Sequence, residues 1–195
     1  MSGFDAARFK GALLTREIGR TLKHAALVGS TNHLALGAAQ AGAEGGLVIL
    51  AEEQSQGRGR GGSSWVAPAG TALLCSVLLR PHGLAPAAAA QFPFVAALAV
   101  GGALLEGGLP GVVLKWPNDV LVGGAKIAGI LCESRSQGGR LEAVVIGMGI
   151  NVNQEKEQLP EGATSIRVLT GEDTDRALLL AEVLNRLEGE CAREI

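Results

Sequence analysis

The sequence predicts an α+β domain with a mixed, largely antiparallel β-sheet that is flanked by helices, most of them on one face. Three observations support this prediction. Residues 112–153 contain four apolar runs separated by short turns, which is typical of neighbouring antiparallel strands. The first half alternates between strand and helix patterns. Near the end of the chain, Leu180, Leu184, Leu187 and Cys191 recur at helical spacing.

The same patterns predict the elements in order. In the first half we expect a helix over 4–14, strands over 21–28, 47–51 and 70–80, and a helix from residues 29–32 to about 42. A further helix starts at Ala87 or Pro93 and ends at Glu106, before two glycines. Strands over 112–116, 120–122, 126–133 and 140–153 follow, and Asp173 or Thr174 caps the last helix. No repeat or linker divides this order, so residues 1–195 are predicted to form a single domain.

Composition and charge narrow the class of protein. A net charge of −2 argues against a nucleic-acid partner bound by bulk electrostatics. The cysteines (Cys75, Cys132, Cys191) are odd in number and far apart, which favours free thiols and a cytoplasmic location. No signal-peptide pattern is present at the N-terminus. Residues 84–105 are uncharged and long enough to span a bilayer, but their alanines, glycines and prolines favour a buried core helix and no membrane.

The stretch from 52 to 65 is a loop rich in glycine and arginine between two apolar runs. Gly57, Gly59 and Gly62 match the spacing of a dinucleotide-binding loop, but a strand follows instead of the required helix. No P-loop motif occurs in the chain, and a single short arginine–glycine tract is weak support for RNA binding. Because Arg58 and Arg60 carry fixed positive charge on a pliable backbone, we expect the loop to close over an anion.

Three other stretches place polar residues next to predicted strands. Ser30, Thr31 and Asn32 follow the first strand and are either an ordinary helix cap or a polar ligand site. In residues 115–119, Trp116 is predicted to be a core residue, whereas Asn118 and Asp119 are expected in a cleft at a strand end. Lys126 begins a strand and either reaches that cleft or is exposed to solvent. Gly147 and Gly149 allow close approach of a ligand or another backbone, beside the amide of Asn151.

Several kinds of site find no support in the sequence. His24, His33 and His82 are scattered without acidic or cysteine partners at ligand spacing, so neither a metal site nor a Ser-His-Asp triad is predicted. No carboxylate pair is evident either. The combination of Arg58, Arg60 and Lys126 with neutral hydrogen-bonding residues favours binding and transfer of a phosphorylated group.

In these stretches the sequence closely resembles the biotin protein ligases. The matching residues are Ser30-Thr31-Asn32, the loop over 53–61 with Trp65, Lys115-Trp116-Pro117-Asn118-Asp119, the segment over 126–133, and Gly147-x-Gly149-Ile150-Asn151. The resemblance covers residues 25–155 and implies a catalytic domain related to class II aminoacyl-tRNA synthetases. It also implies that biotin and ATP, with Mg²⁺, form biotinyl-5′-AMP, and that biotin then passes to a lysine of a biotin carboxyl carrier protein.

The resemblance further implies roles for individual residues. The catalytic residues would be Lys126, Arg60 and Asp119, with Asp119 either binding Mg²⁺ or helping to deprotonate the acceptor lysine. The biotin-binding residues would be Ser30, Thr31, Asn32, Gln54, Gly57, Arg58, Gly59, Arg60 and Lys126. The ATP-binding residues would be Arg60, Trp65, Asn118, Lys126 and Asn151. The protein would act as a monomer or a homodimer.

The chain departs from the family pattern in two respects. Gly61, Gly62 and Ser63 stand where the family often carries basic residues, so we expect weaker retention of the adenylate. No N-terminal DNA-binding domain is expected within these 195 residues, which argues against a repressor role, and the small C-terminal β-barrel of many members is either naturally absent or cut off. The alternatives are a lipoate–protein ligase of the same fold and a biotin- or carrier-binding protein without transfer activity.

Overall fold

A computed structural model describes residues 3–194, within which seven strands and five helices are formed. The helices are α1 (Ala6–Ala12), α2 (Thr31–Gln40), α3 (Phe92–Glu106), α4 (Ile166–Thr170) and α5 (Arg176–Glu194). The strands are β1 (Leu22–Val28), β2 (Val48–Gln54), β3 (Ala72–Leu79), β4 (Val112–Lys115), β5 (Asp119–Val122), β6 (Ala125–Gln137) and β7 (Arg140–Asn151).

All seven strands belong to one mixed sheet with the order β1-β2-β3-β7-β6-β5-β4. β1 and β2 are parallel, and every other neighbouring pair is antiparallel. The predicted fold class is therefore confirmed. β4 to β7 form the expected meander, and β7 then pairs with β3, so that Ser76 lies opposite Gly147. This pairing brings the first and second halves of the chain together in the middle of the sheet.

The two faces of the sheet are covered unequally. One face carries a large apolar core to which α1, α3 and α5 contribute, with Phe9, Phe92 and Leu180 among its fully buried side chains. The other face carries a small cluster beneath α2, which packs on β2, β3 and β7. Because α2 is short, much of this second face remains open beyond its N-terminal end.

α3 is the core helix expected from the uncharged stretch. Nine of its 15 residues are buried, including Val95, Val100 and Leu104. Pro86–Glu106 is long and apolar enough by composition to cross a membrane, yet half of its most apolar 18-residue window is buried in the fold, as in the core helix of a globular domain. A 3₁₀ turn over Pro86–Gln91 precedes it, so the regular helix begins next to Pro93 rather than at Ala87.

Two local predictions were wrong. Trp116 is 75% exposed rather than in the core, because it follows the edge strand β4 at the rim of the sheet. The last helix is capped by Asp175, whose carboxylate accepts from the backbone N–H of Ala177 at 2.8 Å, and not by Asp173 or Thr174. Thr174 is held instead by its backbone, which exchanges two hydrogen bonds with the side chain of Asn153. The five-residue α4 was not predicted, since it is too short to show a period.

Candidate ligand-binding cleft

A cleft of ≈ 710 Å³ lies on the open face of the sheet, beside the N-terminal end of α2. It brings together residues from α2, the end of β2, the arginine loop (defined as residues 57–65) and strands β5 to β7. The predicted site residues that line it are Ser30, Thr31, Asn32, Gln54, Arg58, Gly59, Arg60, Trp65, Asn118, Asp119 and Lys126. Gly57 and Asn151 are not among the lining residues.

One end of the cleft is a buried, uncharged polar corner. Ser30, Thr31 and Asn32 are each less than a tenth exposed at the start of α2. Ser30 occupies the N-cap position without a side-chain cap bond, so it is not an ordinary capping residue. The Oε1 atom of Gln54 instead accepts from the backbone N–H of Thr31 at 2.8 Å, with the Thr31 hydroxyl at 3.1 Å. The hydroxyl of Ser30 therefore remains available to a ligand.

Ser76 supports this corner from below and was not recognised in the sequence. Its hydroxyl, fully buried on β3, lies 2.7 Å from Thr31 Oγ1 and 2.6 Å from Asn32 Oδ1. A serine within the apolar run of β3 is the signal that could have identified it, because a buried hydroxyl requires a hydrogen-bond partner.

The glycines of β7 accommodate side chains of the protein itself and also line the cleft, so close approach of a ligand to them stays a prediction. The amide of Asn32 occupies the space that a Cβ atom on Gly147 would fill. A Cβ atom on Gly149 would lie 2.5 Å from the indole of Trp65. Gly129 on β6 faces the same ring. Glycines at these positions therefore let Asn32 and Trp65 lie flat against the sheet.

Lys126 lies in the cleft, which decides between the two alternatives for this residue. Its Nζ atom is 2.7 Å from Asp119 Oδ1 and 5.5 Å from the centroid of the Trp65 ring. The backbone of Lys126 donates to Gly162 O at 2.8 Å and accepts from Thr164 N at 2.9 Å. The lysine is thus anchored by its main chain on one side while its ammonium group faces the cleft.

Two amides support the elements around Lys126. Asn118 donates to Ile130 O at 3.0 Å and so fastens the start of β5 to β6. Asn151 is buried, donates to Thr164 O at 3.0 Å, and accepts from Gln154 at 2.8 Å. In this structure Asn151 therefore supports the segment next to Lys126, and its contact with a nucleotide stays a prediction.

The arginine loop folds back on itself above the cleft. Gly59 N donates to Ser63 O at 2.7 Å, and Trp65 N donates to Gly57 O at 3.0 Å. Gly61 and Gly62 have φ values of 67° and 82°, a conformation that glycine adopts without strain. A tight glycine turn thus occupies the place where the biotin protein ligases often have further basic residues.

The charged side chains of the cleft lie outside the neutral corner and mostly form ion pairs. Arg58 pairs with Glu133 and Lys126 with Asp119, while Arg60 is exposed. Within residues 3–194 no group of three or more His, Cys, Asp or Glu side chains is placed to hold a metal ion. The arrangement can therefore hold a ligand with an uncharged polar end and an anionic end, under a loop that carries positive charge.

This fold and cleft define a class of protein in which a glycine- and arginine-rich loop covers a cleft on a mixed sheet. The model of the biotin/lipoate A/B protein ligase family matches residues 24–151. The chain belongs to this family. The resemblance seen in the sequence is thereby confirmed.

Individual relatives agree with this assignment. A biotin–[acetyl-CoA-carboxylase] ligase of Paracoccus denitrificans is 49% identical over 125 residues, which are 63% of this chain and 51% of that protein. The biotin protein ligase of Aquifex aeolicus in complex with biotin and ATP has a TM-score of 0.73 and 31% identity, covering 89% of this chain and 71% of that one. The Leishmania major biotin protein ligase in complex with biotinyl-5-AMP has a TM-score of 0.71 and 25% identity, covering 89% and 76%. The chain spans about half the length of the curated relatives it matches (51% to 54%).

Proposed function

We propose that this chain is the catalytic domain of a biotin protein ligase. It activates biotin with ATP to biotinyl-5′-AMP and transfers biotin to a lysine of a biotin carboxyl carrier protein. The observation that carries the proposal is the cleft itself, in which a buried neutral corner shares one cavity with Lys126 and the arginine loop. The named relatives and the complexes of the two solved structures support it.

The neutral corner suits the ureido end of biotin. An uncharged ureido group offers N–H donors and a carbonyl acceptor, and it needs partners that are neutral as well. Ser30, Thr31, Asn32 and Gln54 provide hydroxyl and amide groups of this kind. Because the corner is already buried and internally bonded, it is organised before the ligand binds, which lowers the entropic cost of binding.

Activation joins two anions, and the cations of the cleft favour that step. An oxygen of the biotin carboxylate attacks the α-phosphorus of ATP, the bond to the β-phosphate breaks, and pyrophosphate leaves. The ground state is repulsive, and a unit charge at about 4 Å contributes about 4 kcal/mol at an effective dielectric constant of about 20. Lys126 would stand between the carboxylate and the α-phosphate, with Arg58 and Arg60 over the same atoms.

Trp65 and its surroundings suit the nucleotide. The indole lies flat on Gly129 and Gly149, so its other face can stack with a base. Its buried N–H has no hydrogen-bond partner among residues 3–194, and a bound acceptor would satisfy it. Mg²⁺ in such sites binds one or two carboxylates together with substrate phosphates, and Asp119 fits that donor set. Bound there, Mg²⁺ would neutralise charge on the leaving pyrophosphate.

Transfer of biotin requires a neutral lysine on the carrier protein. The amine attacks the acyl carbon of biotinyl-5′-AMP, AMP leaves with the electrons of the broken C–O bond, and the nitrogen loses a proton. Asp119 is the carboxylate in the cleft lining that could accept this proton. Its carboxylate would become available when Lys126 leaves the ion pair with Asp119 and binds the phosphate instead. The carrier protein as partner is therefore part of the proposal.

The test is to supply the purified chain with ATP, Mg²⁺ and either biotin or lipoate, and to measure pyrophosphate release. We expect release with biotin, and with a biotin carboxyl carrier domain added we expect biotin on its acceptor lysine by mass spectrometry. Pyrophosphate release with lipoate but not with biotin would make the chain a lipoate–protein ligase. Biotin binding in calorimetry without pyrophosphate release would make it a binding protein.

A further inference from the structure

Glu133 links the two halves of the cleft. It lies on β6, and its carboxylate is shared between two partners. The Oε1 atom pairs with the guanidinium group of Arg58, and the Oε2 atom accepts from Asn32 Nδ2 at 2.9 Å. One carboxylate therefore contacts both the arginine loop and the neutral corner.

The contact with Arg58 ties the loop to the rest of the domain, in addition to the Trp65 ring, which packs on the sheet beneath Lys126. The hydrogen bonds within residues 57–65 join loop residues to one another. In the described part of the chain, the Arg58–Glu133 pair is the one ion pair or side-chain hydrogen bond that joins this loop to another element. Apart from packing of the Trp65 ring, the position of the loop thus depends on Glu133.

The contact with Asn32 fixes the direction of an amide. A carboxylate only accepts hydrogen bonds, so it turns the NH₂ group of Asn32 toward itself. The Oδ1 atom of Asn32 then faces Ser76 Oγ, 2.6 Å away. The Nδ2 atom of Asn32 also donates to Leu131 O at 3.1 Å, so without Glu133 the amide would keep this neutral acceptor and lose its charged one.

We propose that Glu133 is a positioning residue, which holds the arginine loop over the cleft before a ligand arrives and, together with the carbonyl of Leu131, sets the amide orientation of Asn32. The second part rests on the proposed function, because Asn32 is assigned to the ureido end of biotin. Arg58 has five N–H donors, so the guanidinium can keep Glu133 while it binds an anionic ligand. The loop would then bind the adenylate from a position already set.

The rate of tryptic cleavage can report on the position of the loop, since trypsin cleaves after Arg58 and Arg60. In the ligand-free protein we expect Glu133→Gln to increase the rate of cleavage after Arg60 about 5-fold, as expected for loss of a half-exposed ion pair. Glu142→Gln is the matched control, because Glu142 lies on the neighbouring strand and pairs with Arg135 and Arg80, away from the loop. Equal cleavage of the wild type and Glu133→Gln would overturn the assignment of the loop contact.

A second comparison tests the contact between Glu133 and Asn32 separately from the loop contact. Glu133→Gln retains an oxygen that can accept from Asn32 Nδ2, whereas Glu133→Ala removes both contacts. We expect equal loop cleavage in the two variants, but a Kd for biotin about 10-fold higher in Glu133→Ala than in Glu133→Gln. We also expect both variants to release biotinyl-5′-AMP faster than the wild type, at unchanged thermal stability. Equal biotin affinities would refute the role toward Asn32.

If the wild type bound no biotin, the proposed function would fail, while the cleavage rates would still test the loop contact.

Discussion

At the scale of single residues, Lys126 depends on surroundings that keep its charge in the cleft. The ammonium group has a carboxylate partner in Asp119 and lies over the edge of the Trp65 ring, while its backbone is bonded on both sides to residues 162–164. A lysine held in this way lies in the cleft before an anion binds, so that binding changes the partner of its ammonium group and not the position of its backbone.

Lys126→Ala should therefore reduce the rate of pyrophosphate release with biotin and ATP by about 10²- to 10³-fold, the usual cost of losing one charge-stabilising group. The fold should stay intact, because Asp119 is partly exposed and can be hydrated when its partner is removed. Circular dichroism and thermal unfolding would check the fold. Lys23→Ala, on the exposed edge strand β1, is the control and should leave the rate unchanged. An unchanged rate for Lys126→Ala would contradict its role.

At the scale of elements, α5 fastens the N-terminal segment to the domain. Glu188 accepts hydrogen bonds from three consecutive backbone N–H groups, those of residues 16, 17 and 18, at 2.6 to 2.9 Å. Asn185 adds bonds to Leu14 N and Ala12 O. Partial burial alone would raise the pKa of the Glu188 carboxyl group, but the three N–H donors and nearby Arg20 outweigh it and lower the pKa.

Because the pKa of Glu188 is lowered in the folded state, the ionised carboxylate stabilises the fold at pH values above its unfolded pKa of about 4.3. This stabilisation is lost as the pH falls through the folded pKa. Glu188→Gln should thus reduce the free energy of unfolding by about 1 kcal/mol near pH 7. The difference from the wild type should shrink as the pH falls from the unfolded pKa through the lowered folded pKa, because the wild-type carboxyl group then becomes protonated itself. Urea unfolding across this range is the measurement. Glu190→Gln, on the same helix and paired with exposed Arg193, should show little effect at any pH.

At the scale of the whole molecule, the sheet was predictable because its signals are local. Gly123 and Gly124, and likewise Gly138 and Gly139, have positive φ values in tight turns, so the meander could be read from turn chemistry. No local sequence signal predicted the parallel pairing of β1 with β2, because this pairing depends on contacts between distant segments.

The cleft was predictable as a set of residues but not as a network of contacts. Ser30, Gln54, Arg58 and Lys126 could be placed in one site by resemblance. The fit of Asn32 against Gly147, the support from Ser76 and the bridge through Glu133 join residues on strands far apart in sequence, and no local pattern records them. Trp116 was misplaced for a related reason, since its exposure depends on which elements cover the edge of the sheet.

The three cysteines are free, as expected, and their thiols are spread over the fold. Burial raises the pKa of Cys75 to about 12, and burial together with Glu188 and Glu190 raises that of Cys191 to about 11. Burial, with Cys191 and Glu133 nearby, also raises the pKa of Cys132 well above its usual range. Because the thiolate is the reactive form, near pH 8 all three should react slowly with a disulfide reagent such as DTNB while the protein is folded.

In concentrated guanidinium chloride the same three thiols should react at once and in full, so thiol labelling should follow global unfolding. Reduced glutathione at the same pH is the control for reagent activity, and its rate should match that of the unfolded chain. Labelling in increasing denaturant should show one transition that coincides with the loss of circular dichroism, because all three cysteines pack in or against the core that α1, α3 and α5 share. Rapid labelling of any one thiol in the folded protein would show that this core opens locally at that residue.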